Sequence, residues 1–125
     1  MSIRSEAFKW YEKNYGKIEA PTYTSKFYQP EESWPKKSVW WPQIPTSAID
    51  GFGYINILCQ RAPNKYDFHY LKVPRSFLHE NLDKFHTIGN IISLYLSTDP
   101  KTLFIEERGK GNLDFRKFLV NAKMH

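Results

Sequence analysis

The first apolar pattern of the chain has the period of a helix. Apolar residues recur at steps of three and four with charged residues between them, and the apolar set is Ile3, Ala7, Trp10, Tyr11 and Ile18. This spacing predicts an amphipathic helix over about residues 3–15, and Gly16 is a natural stop for it. Residues 17–37, which are rich in proline, serine and threonine, are predicted to form an extended connection across the surface.

Alternating apolar and polar residues then predict strands. The predicted strands cover residues 38–43, 54–61, 66–73 and 91–97, and residues 102–107 are predicted to be a fifth strand or an extended edge. The second and third are rich in β-branched and aromatic residues and are separated by Ala62-Pro63-Asn64-Lys65, a pattern typical of a hairpin. Asp50-Gly51-Phe52-Gly53 is predicted to be a turn before this hairpin.

Two further helices are predicted in the second half. One begins at Pro74, a position where proline is tolerated, and buries Leu78, Leu82 and Phe85. The other begins at Asp114, a good N-cap. Its buried face is expected to hold Phe115, Phe118, Leu119 and Ala122.

The order of elements, α-β-β-β-α-β-β-α, predicts a single α+β domain over residues 1–125. Its mainly antiparallel sheet is expected to have about five strands, with helices near the N-terminus, the middle and the C-terminus. The same sheet is expected to include residues 54–60, 66–73 and 91–97.

Composition limits the class of protein. With 125 residues, of which 41% are hydrophobic and 25% charged, the chain has the proportions of one ordinary globular domain. The aromatic share of 17% is high, so rings are expected both in the core and on the surface. The net charge is +5, and residues 61–125, with eleven basic and seven acidic groups, contribute +4 of it. This excess favours a polyanionic partner, above all nucleic acid.

The lone cysteine and the N-terminus bear on location. Cys59 lies in an apolar run, which favours a buried structural thiol over a reactive one, and a single cysteine is compatible with a reducing compartment. The first residues lack the apolar core of a signal peptide, and no apolar run approaches the ~20 residues of a transmembrane helix. We therefore expect a cytoplasmic protein with no membrane partner; whether it forms a homo-oligomer stays open.

Three of the four tryptophans fall in one short segment, together with prolines and a lysine pair. The segment reads Trp34-Pro35-Lys36-Lys37-Ser38-Val39-Trp40-Trp41-Pro42-Gln43-Ile44-Pro45. Tryptophan has a large apolar face and an N–H that needs a partner when buried, and prolines limit any strand here to a few residues. Because adjacent residues of a strand point to opposite faces, we predict that one of Trp40 and Trp41 is buried and the other partly exposed.

Residues 108–112, Arg108-Gly109-Lys110-Gly111-Asn112, form a basic loop rich in glycine. Its glycines let backbone N–H groups approach an anion, while Arg108 and Lys110 supply positive charge. The loop lacks the Gly-Lys-Ser/Thr ending of a P-loop. It is a candidate phosphate-binding loop, with an ordinary solvent-exposed turn as the alternative.

Acidic residues and histidines give weaker signals. Asp67 and His69 share a face of a predicted strand, so they are a candidate base or metal-ligand pair, with a polar, solvent-facing side of the strand as the alternative. Glu106 and Glu107 are a candidate Mg²⁺ pair, with surface charge as the alternative. The four histidines and one cysteine lack the spacing of a zinc site. No metal and no cofactor is therefore predicted, and catalytic residues stay unknown.

The order helix, three strands, helix, strand over residues 3–97 loosely resembles the core of PD-(D/E)xK nucleases, which include many restriction endonucleases. The resemblance covers element order only, and it implies a metal-dependent nuclease or a DNA-binding relative without activity. The family motif has an acid on the second strand and Glu-x-Lys on the third. Here the second strand has no acid, and the third carries Asp67 and Lys72 at a different spacing.

Three functions stay open. The main prediction is a small nucleic-acid-binding module for DNA or RNA with low sequence preference, in which aromatic rings stack on bases and basic residues contact phosphates. The alternatives are a metal-dependent nuclease of restriction-endonuclease-like topology and a protein-interaction module that uses residues 34–45 as its contact ridge. The predicted nucleic-acid-binding residues are Lys36, Lys37, Trp40, Trp41, Lys65, Lys72, Arg75, Arg108 and Lys110.

Overall fold

The computed structural model describes residues 2–33 and 35–120, and within them two helices and nine strands form a mixed α/β domain. The helices are α1 (Ile3–Tyr15) and α2 (Arg75–Glu80). The strands are β1 (Thr22–Ser25), β2 (Phe27–Tyr28), β3 (Val39–Trp40), β4 (Gln43–Pro45), β5 (Tyr54–Gln60), β6 (Phe68–Pro74), β7 (His86–Ile88), β8 (Ile91–Ser93) and β9 (Leu96–Ser97). They form three sheets of three strands, in the orders β1-β5-β6, β2-β3-β9 and β4-β8-β7. The α+β class is confirmed, but the single sheet of about five strands is wrong.

Helix α1 has the bounds that its apolar period predicts. The hydroxyl of Ser2 accepts the backbone N–H of Ser5 at 3.1 Å and caps the first turn. Gly16 ends the helix with a φ of 87°, and its N–H bonds to the last turn. The helix buries Ala7 and Tyr11 against the hairpin of β5 and β6.

The hairpin of β5 and β6 is confirmed, and all seven residues of β5 pair with β6. On its other side β5 pairs with β1 in parallel, where the sequence analysis expected only an extended connection over residues 17–37. The buried side chain of Asn56 ties this sheet together: it accepts the hydroxyl of Tyr70 at 2.7 Å and donates to the hydroxyl of Thr22 at 3.1 Å. Polar side chains thus hold the central sheet in register.

Strands β3 and β4 are two halves of one extended segment, and β9 and β8 are two halves of its antiparallel partner. The register between β3 and β9 continues unchanged between β4 and β8. The ladder breaks at Trp41 and Pro42, because proline has no N–H to donate; the Pro42 carbonyl still accepts the N–H of Leu94 at 3.2 Å. The predicted strands 38–43 and 91–97 are therefore each interrupted, and the second lies outside the sheet of the hairpin.

Two predicted elements of the last quarter are wrong. Residues 102–104 form turns, with a φ of 60° at Phe104, and Ile105 and Glu106 make isolated antiparallel bridges to Asp114 and Leu96 instead of a strand. In the described part of the chain no α-helix begins at Asp114. The Asp114 carboxylate accepts the backbone N–H of Arg116 at 2.8 Å and pairs with its guanidinium at 2.9 Å. Such local bonding competes with helix formation, and only a 3-10 turn follows.

Helix α2 is shorter than predicted. The side-chain amide of Asn81 donates to the carbonyl of Phe77 at 2.9 Å and closes the helix, so Leu82 starts a 3-10 turn instead of continuing the buried stripe. Ala122, predicted on the buried face of a last helix, lies outside the described residues. No helix within the described residues has the length and apolarity needed to cross a membrane.

The larger apolar cluster surrounds Trp40, which is 1% exposed. Its ring stacks on Phe104 with 4.7 Å between ring centres, and its indole N–H donates to the Gln60 carbonyl at 2.6 Å. Cys59 is buried in the same cluster, as predicted, and burial raises the pKa of its thiol. The inner side of β3 is therefore core.

Candidate nucleic-acid interface

Aromatic rings meet on the outer side of the break in the long ladder. The common register places Trp41 opposite Tyr95, and their rings contact edge to face with centres 5.6 Å apart. The ring of Tyr28 lies 5.7 Å from that of Trp41. The indole N–H of Trp41 donates to the hydroxyl of Ser93 at 2.7 Å. We call Tyr28, Trp41, Ser93, Tyr95 and Arg108 the outer aromatic surface.

The two adjacent tryptophans divide between core and surface, as alternation along a strand predicts. Trp40 is buried, whereas Trp41 is partly exposed. Because its ring is enclosed by the core, Trp40 is not accessible to a ligand and leaves the candidate set. Trp34, from the same segment, lies outside the described residues.

Arg108 joins the glycine-rich loop to this surface. Its guanidinium carbon lies 4.6 Å from the centre of the Tyr95 ring and 5.8 Å from that of Trp41. One guanidinium N–H donates to the hydroxyl of Ser93 at 2.8 Å. The Ser93 hydroxyl thus accepts from both Arg108 and Trp41, and the cation is held against two rings at cation–π distance.

A buried carboxylate fixes the loop that carries Arg108. Glu106 is 1% exposed. One of its oxygens accepts the backbone N–H groups of Tyr95 and Arg108, each at 2.9 Å, and the other accepts that of Gly109 at 2.8 Å. Hydrogen bonds to an ionised acceptor are among the stronger ones in proteins, so Glu106 acts as an anchor for the loop.

The glycine-rich loop does not offer its backbone to an anion in the way its sequence suggests. The N–H groups of Arg108 and Gly109 bond to Glu106, and that of Lys110 donates to the Lys84 carbonyl at 3.0 Å. Glycine is required at 109 for space, because a Cβ there would lie 2.1 Å from the same Lys84 carbonyl oxygen. The loop therefore presents the side chains of Arg108 and Lys110, and the backbone N–H groups of residues 108–110 are occupied.

Lysines flank the outer aromatic surface. Lys37 pairs with Glu107 at 2.8 Å, which brings the tryptophan segment beside the loop. The ammonium of Lys26 lies 4.8 Å from the centre of the Tyr28 ring. Lys26 also hydrogen-bonds to Glu32, and this bond lowers the pKa of the Glu32 carboxyl.

The predicted binding residues are found in three places. Those on the outer aromatic surface, or beside it in space or sequence, are Lys36, Lys37, Trp41, Arg108 and Lys110. Lys65 is exposed in the turn of the β5–β6 hairpin. Lys72 and Arg75 lie toward the other end of that hairpin, where Lys72 covers the ring of Tyr54 at 4.0 Å and Arg75 donates to the carbonyl of Asp50. The structure does not bring these last two to the same surface.

Asp67 and His69 have separate partners. Asp67 precedes β6 and pairs with Arg61 at 3.0 Å. The ring of His69 packs against Trp40 and Phe104, with centres 5.4 and 5.2 Å away. Burial, and to a smaller extent the charge of Arg61, lower the pKa of His69 to about 4. In the described part of the chain, no three His, Cys, Asp or Glu side chains are placed to hold a metal ion.

Tyr28, Ser93 and Tyr95 are absent from the predicted site. Nothing in their own sequence surroundings distinguishes them, because Tyr95 lies in an apolar run and Ser93 two residues before it. The register between residues 39–45 and 91–97 is what places them beside Trp41. The alternating pattern predicts strands here but not which strands pair.

The outer aromatic surface combines the partly exposed rings of Tyr28 and Trp41, a guanidinium positioned over the buried ring of Tyr95, and nearby ammonium groups. This set is suited to a ligand with flat rings and negative charge. A scan against protein-family models, a search of curated proteins and a search of solved structures each find no match.

Proposed function

We propose that this protein binds single-stranded nucleic acid with little sequence preference through the outer aromatic surface. The observation that supports this most is the contact of Arg108 with Trp41 and Tyr95. This contact joins residues 34–45, which supply aromatic rings for stacking on bases, to residues 108–112, which supply positive charge for phosphates.

A partly exposed Trp41 supplies a face on which an unpaired base can stack. Base stacking on an aromatic side chain contributes about 1–3 kcal/mol per base and tolerates any base, because every base has a π-face. This tolerance is the reason for expecting low sequence preference. Paired bases within a duplex are already stacked on both faces, which is the reason for expecting single strands.

Phosphate contacts come from Arg108, Lys37 and Lys110. A guanidinium has five N–H donors, so Arg108 keeps donors for a phosphate beyond the bond to Ser93. Lys110 is exposed, and the ammonium of Lys37, although paired with Glu107, belongs to a side chain that is about half exposed.

The two alternative functions have less support. The nuclease alternative needs free carboxylates, yet Glu106 is bonded to three N–H groups, and Glu107 and Asp67 pair with basic side chains. The protein-interaction alternative needs an apolar ridge, yet Trp40 is buried and Trp41 is bordered by cations. Neither is proposed.

The test is a fluorescence-anisotropy titration of labelled single- and double-stranded oligonucleotides at several salt concentrations. The logarithm of the binding constant is expected to fall linearly with the logarithm of salt concentration, by about 0.7 per phosphate contact on single strands. The double variant Arg108→Ala and Lys110→Ala removes two such contacts and should flatten this slope by about 1.4 units. Absence of binding at low salt rejects the proposal.

Two controls separate geometry from charge. Lys13→Ala removes an exposed charge from α1 and should leave the slope nearly unchanged. Arg108→Lys keeps the charge but loses the planar guanidinium, so it should weaken binding while preserving the slope. An Arg108→Lys variant that binds as well as the wild type would show that net charge, and not the outer aromatic surface, drives binding.

A further inference from the structure

Phe52 is the most exposed large apolar side chain of the described residues, at 99%. It forms the tip of the turn Gly51-Phe52-Gly53, in which the glycines have φ values of 98° and 87°. Side chains other than glycine rarely adopt such values, so this sequence is suited to a tight turn that projects its central residue. A phenyl ring left in water forgoes the stabilisation that burial would give.

Hydrogen bonds from Arg75 hold both ends of the turn. The guanidinium of Arg75 donates to the Asp50 carbonyl at 3.0 Å, and the backbone N–H of Arg75 donates to the Gly53 carbonyl at 3.0 Å. These two bonds attach the turn to the start of α2. Phe52 is therefore presented at a defined place on the surface.

A depression of about 360 Å³ lies directly beside the ring. Its walls are Ile49, Asp50, Gly51, Phe52, Ser76, His79 and Glu80. A cavity of about 150 Å³ is enough to hold benzene, so the depression has room for a second phenyl ring. Because Phe52 is 99% exposed, it stands only at the rim of the depression, and projection and depression belong to one surface patch.

We propose that this patch is a self-association surface on which Phe52 of each of two copies occupies the depression of the other. A two-fold interface requires one patch that is complementary to itself, and a projection adjacent to a matching depression meets that requirement. The two contacts then form together in a closed dimer. A projection and a depression on separate faces would instead lead to open chains.

The charges around the patch support a second copy of this chain as the partner. Asp50 and Glu80 line the depression, while Lys72 and Arg75 lie beside the turn, so both signs are present for pairing across a two-fold axis. Each copy carries a net charge of +5. Salt screens both the repulsion between two such copies and the ion pairs across the axis, so the phenyl contacts, which are not screened, should keep the dimer at high ionic strength. Nucleic-acid binding weakens steeply with added salt, so the two proposals are tested separately at high ionic strength.

The experiment is sedimentation velocity on the full chain over a wide concentration range. A monomer–dimer equilibrium is expected for the wild type. Phe52→Ala, which removes two buried rings per dimer, should raise the dissociation constant by at least ~100-fold. The matched control is Tyr66→Ala, which removes a ring that is 60% exposed near the turn of the hairpin and should leave the equilibrium unchanged.

A second variant tests the depression. Ser76→Trp should fill it and weaken self-association while keeping Phe52. Mixing Phe52→Ala with Ser76→Trp restores one complete contact, because the first variant keeps an open depression and the second keeps the ring; a mixed dimer is therefore expected. A wild type that stays monomeric at every concentration, equal effects of Phe52→Ala and Tyr66→Ala, or no mixed dimer would each overturn the proposal.

Discussion

Trp40, the last residue of β3, and Trp41, which follows it at the break in the ladder, point to opposite sides of one extended segment and have different neighbours. On the inner side Trp40 packs against the buried ring of Phe104 and the partly buried rings of Phe27 and His69. On the outer side Trp41 packs among Tyr28, Tyr95 and the guanidinium of Arg108. Indole N–H groups are satisfied on both sides, by a backbone carbonyl inside and by a serine hydroxyl outside.

The difference between the two rings lies in what surrounds them. The inner ring is enclosed by the fold, so its contribution is to stability. The outer ring is partly exposed and its polar neighbours carry positive charge, so a ligand with negative charge can share those contacts. The sequence alone therefore does not show whether a tryptophan serves stability or binding; its neighbours across the sheet must be known.

Trp40→Ala should have the largest effect on the fold. It removes a fully buried ring and leaves a cavity, for which the expected loss in the free energy of unfolding is about 3–5 kcal/mol. Urea denaturation followed by circular dichroism measures it. A loss below that of Trp41→Ala would contradict the assignment of inner and outer sides.

Glu106→Gln should have the second-largest effect on the free energy of unfolding. The new amide group would place its N–H₂ against backbone donors now accepted by the carboxylate, at a cost of about 1–3 kcal/mol. Because the loop loses its anchor, oligonucleotide affinity should fall as well. Glu107→Gln is the control, since it removes one partly buried ion pair, with Lys37, and none of the three bonds to loop backbone N–H groups. Equal effects of the two changes on affinity would disprove the anchoring role.

His69 makes the inner side sensitive to acid. Its pKa of about 4 in the folded protein lies below the ordinary 6.5, so the folded protein holds the neutral imidazole while the unfolded chain takes up a proton as pH falls below 6.5. The stability present above pH 6.5 is lost between pH 6.5 and 4, by about 1–2 kcal/mol after allowance for partial exposure. His69→Gln should lose less over the same interval, as denaturation curves at several pH values can show. An unchanged pH dependence would place the acid sensitivity elsewhere.

Trp41→Ala should have the smallest effect on stability and the clearest effect on binding. A partly exposed ring costs about 1 kcal/mol to remove, whereas the loss of one stacked base lowers affinity by about tenfold or more. Calorimetric titration with a short single-stranded oligonucleotide separates the two quantities. Unchanged affinity would remove the outer aromatic surface from the site.

Local patterns predicted local structure well. The apolar period and the flanking Ser2 and Gly16 determine α1, and alternation predicts the hairpin of β5 and β6. The helix predicted at Asp114 failed because its carboxylate bonds to Arg116 instead of starting a helix. Composition and spacing do not distinguish these two uses of an aspartate.

Long-range pairing limited the prediction of the site. The sequence points to Trp41 and to Arg108 separately, but their contact depends on the pairing of residues 39–45 with 91–97 and on the anchoring of the loop by Glu106. Neither the strand pairing nor the anchoring by Glu106 produces a periodic pattern in the sequence. The same limit applies to the parallel pairing of β1 with β5, because no short turn that could be predicted from the sequence joins these two strands.

The central claim is that Trp41, and not Trp40, lies in the binding surface. The most direct test follows the indole N–H signals of ¹⁵N-labelled protein by NMR during titration with a single-stranded oligonucleotide, with Trp41→Phe used for assignment. The Trp41 signal should shift progressively while that of Trp40, bonded to the Gln60 carbonyl in the core, stays in place. Saturable binding with a stationary Trp41 signal, or equal shifts of both signals, would contradict the account.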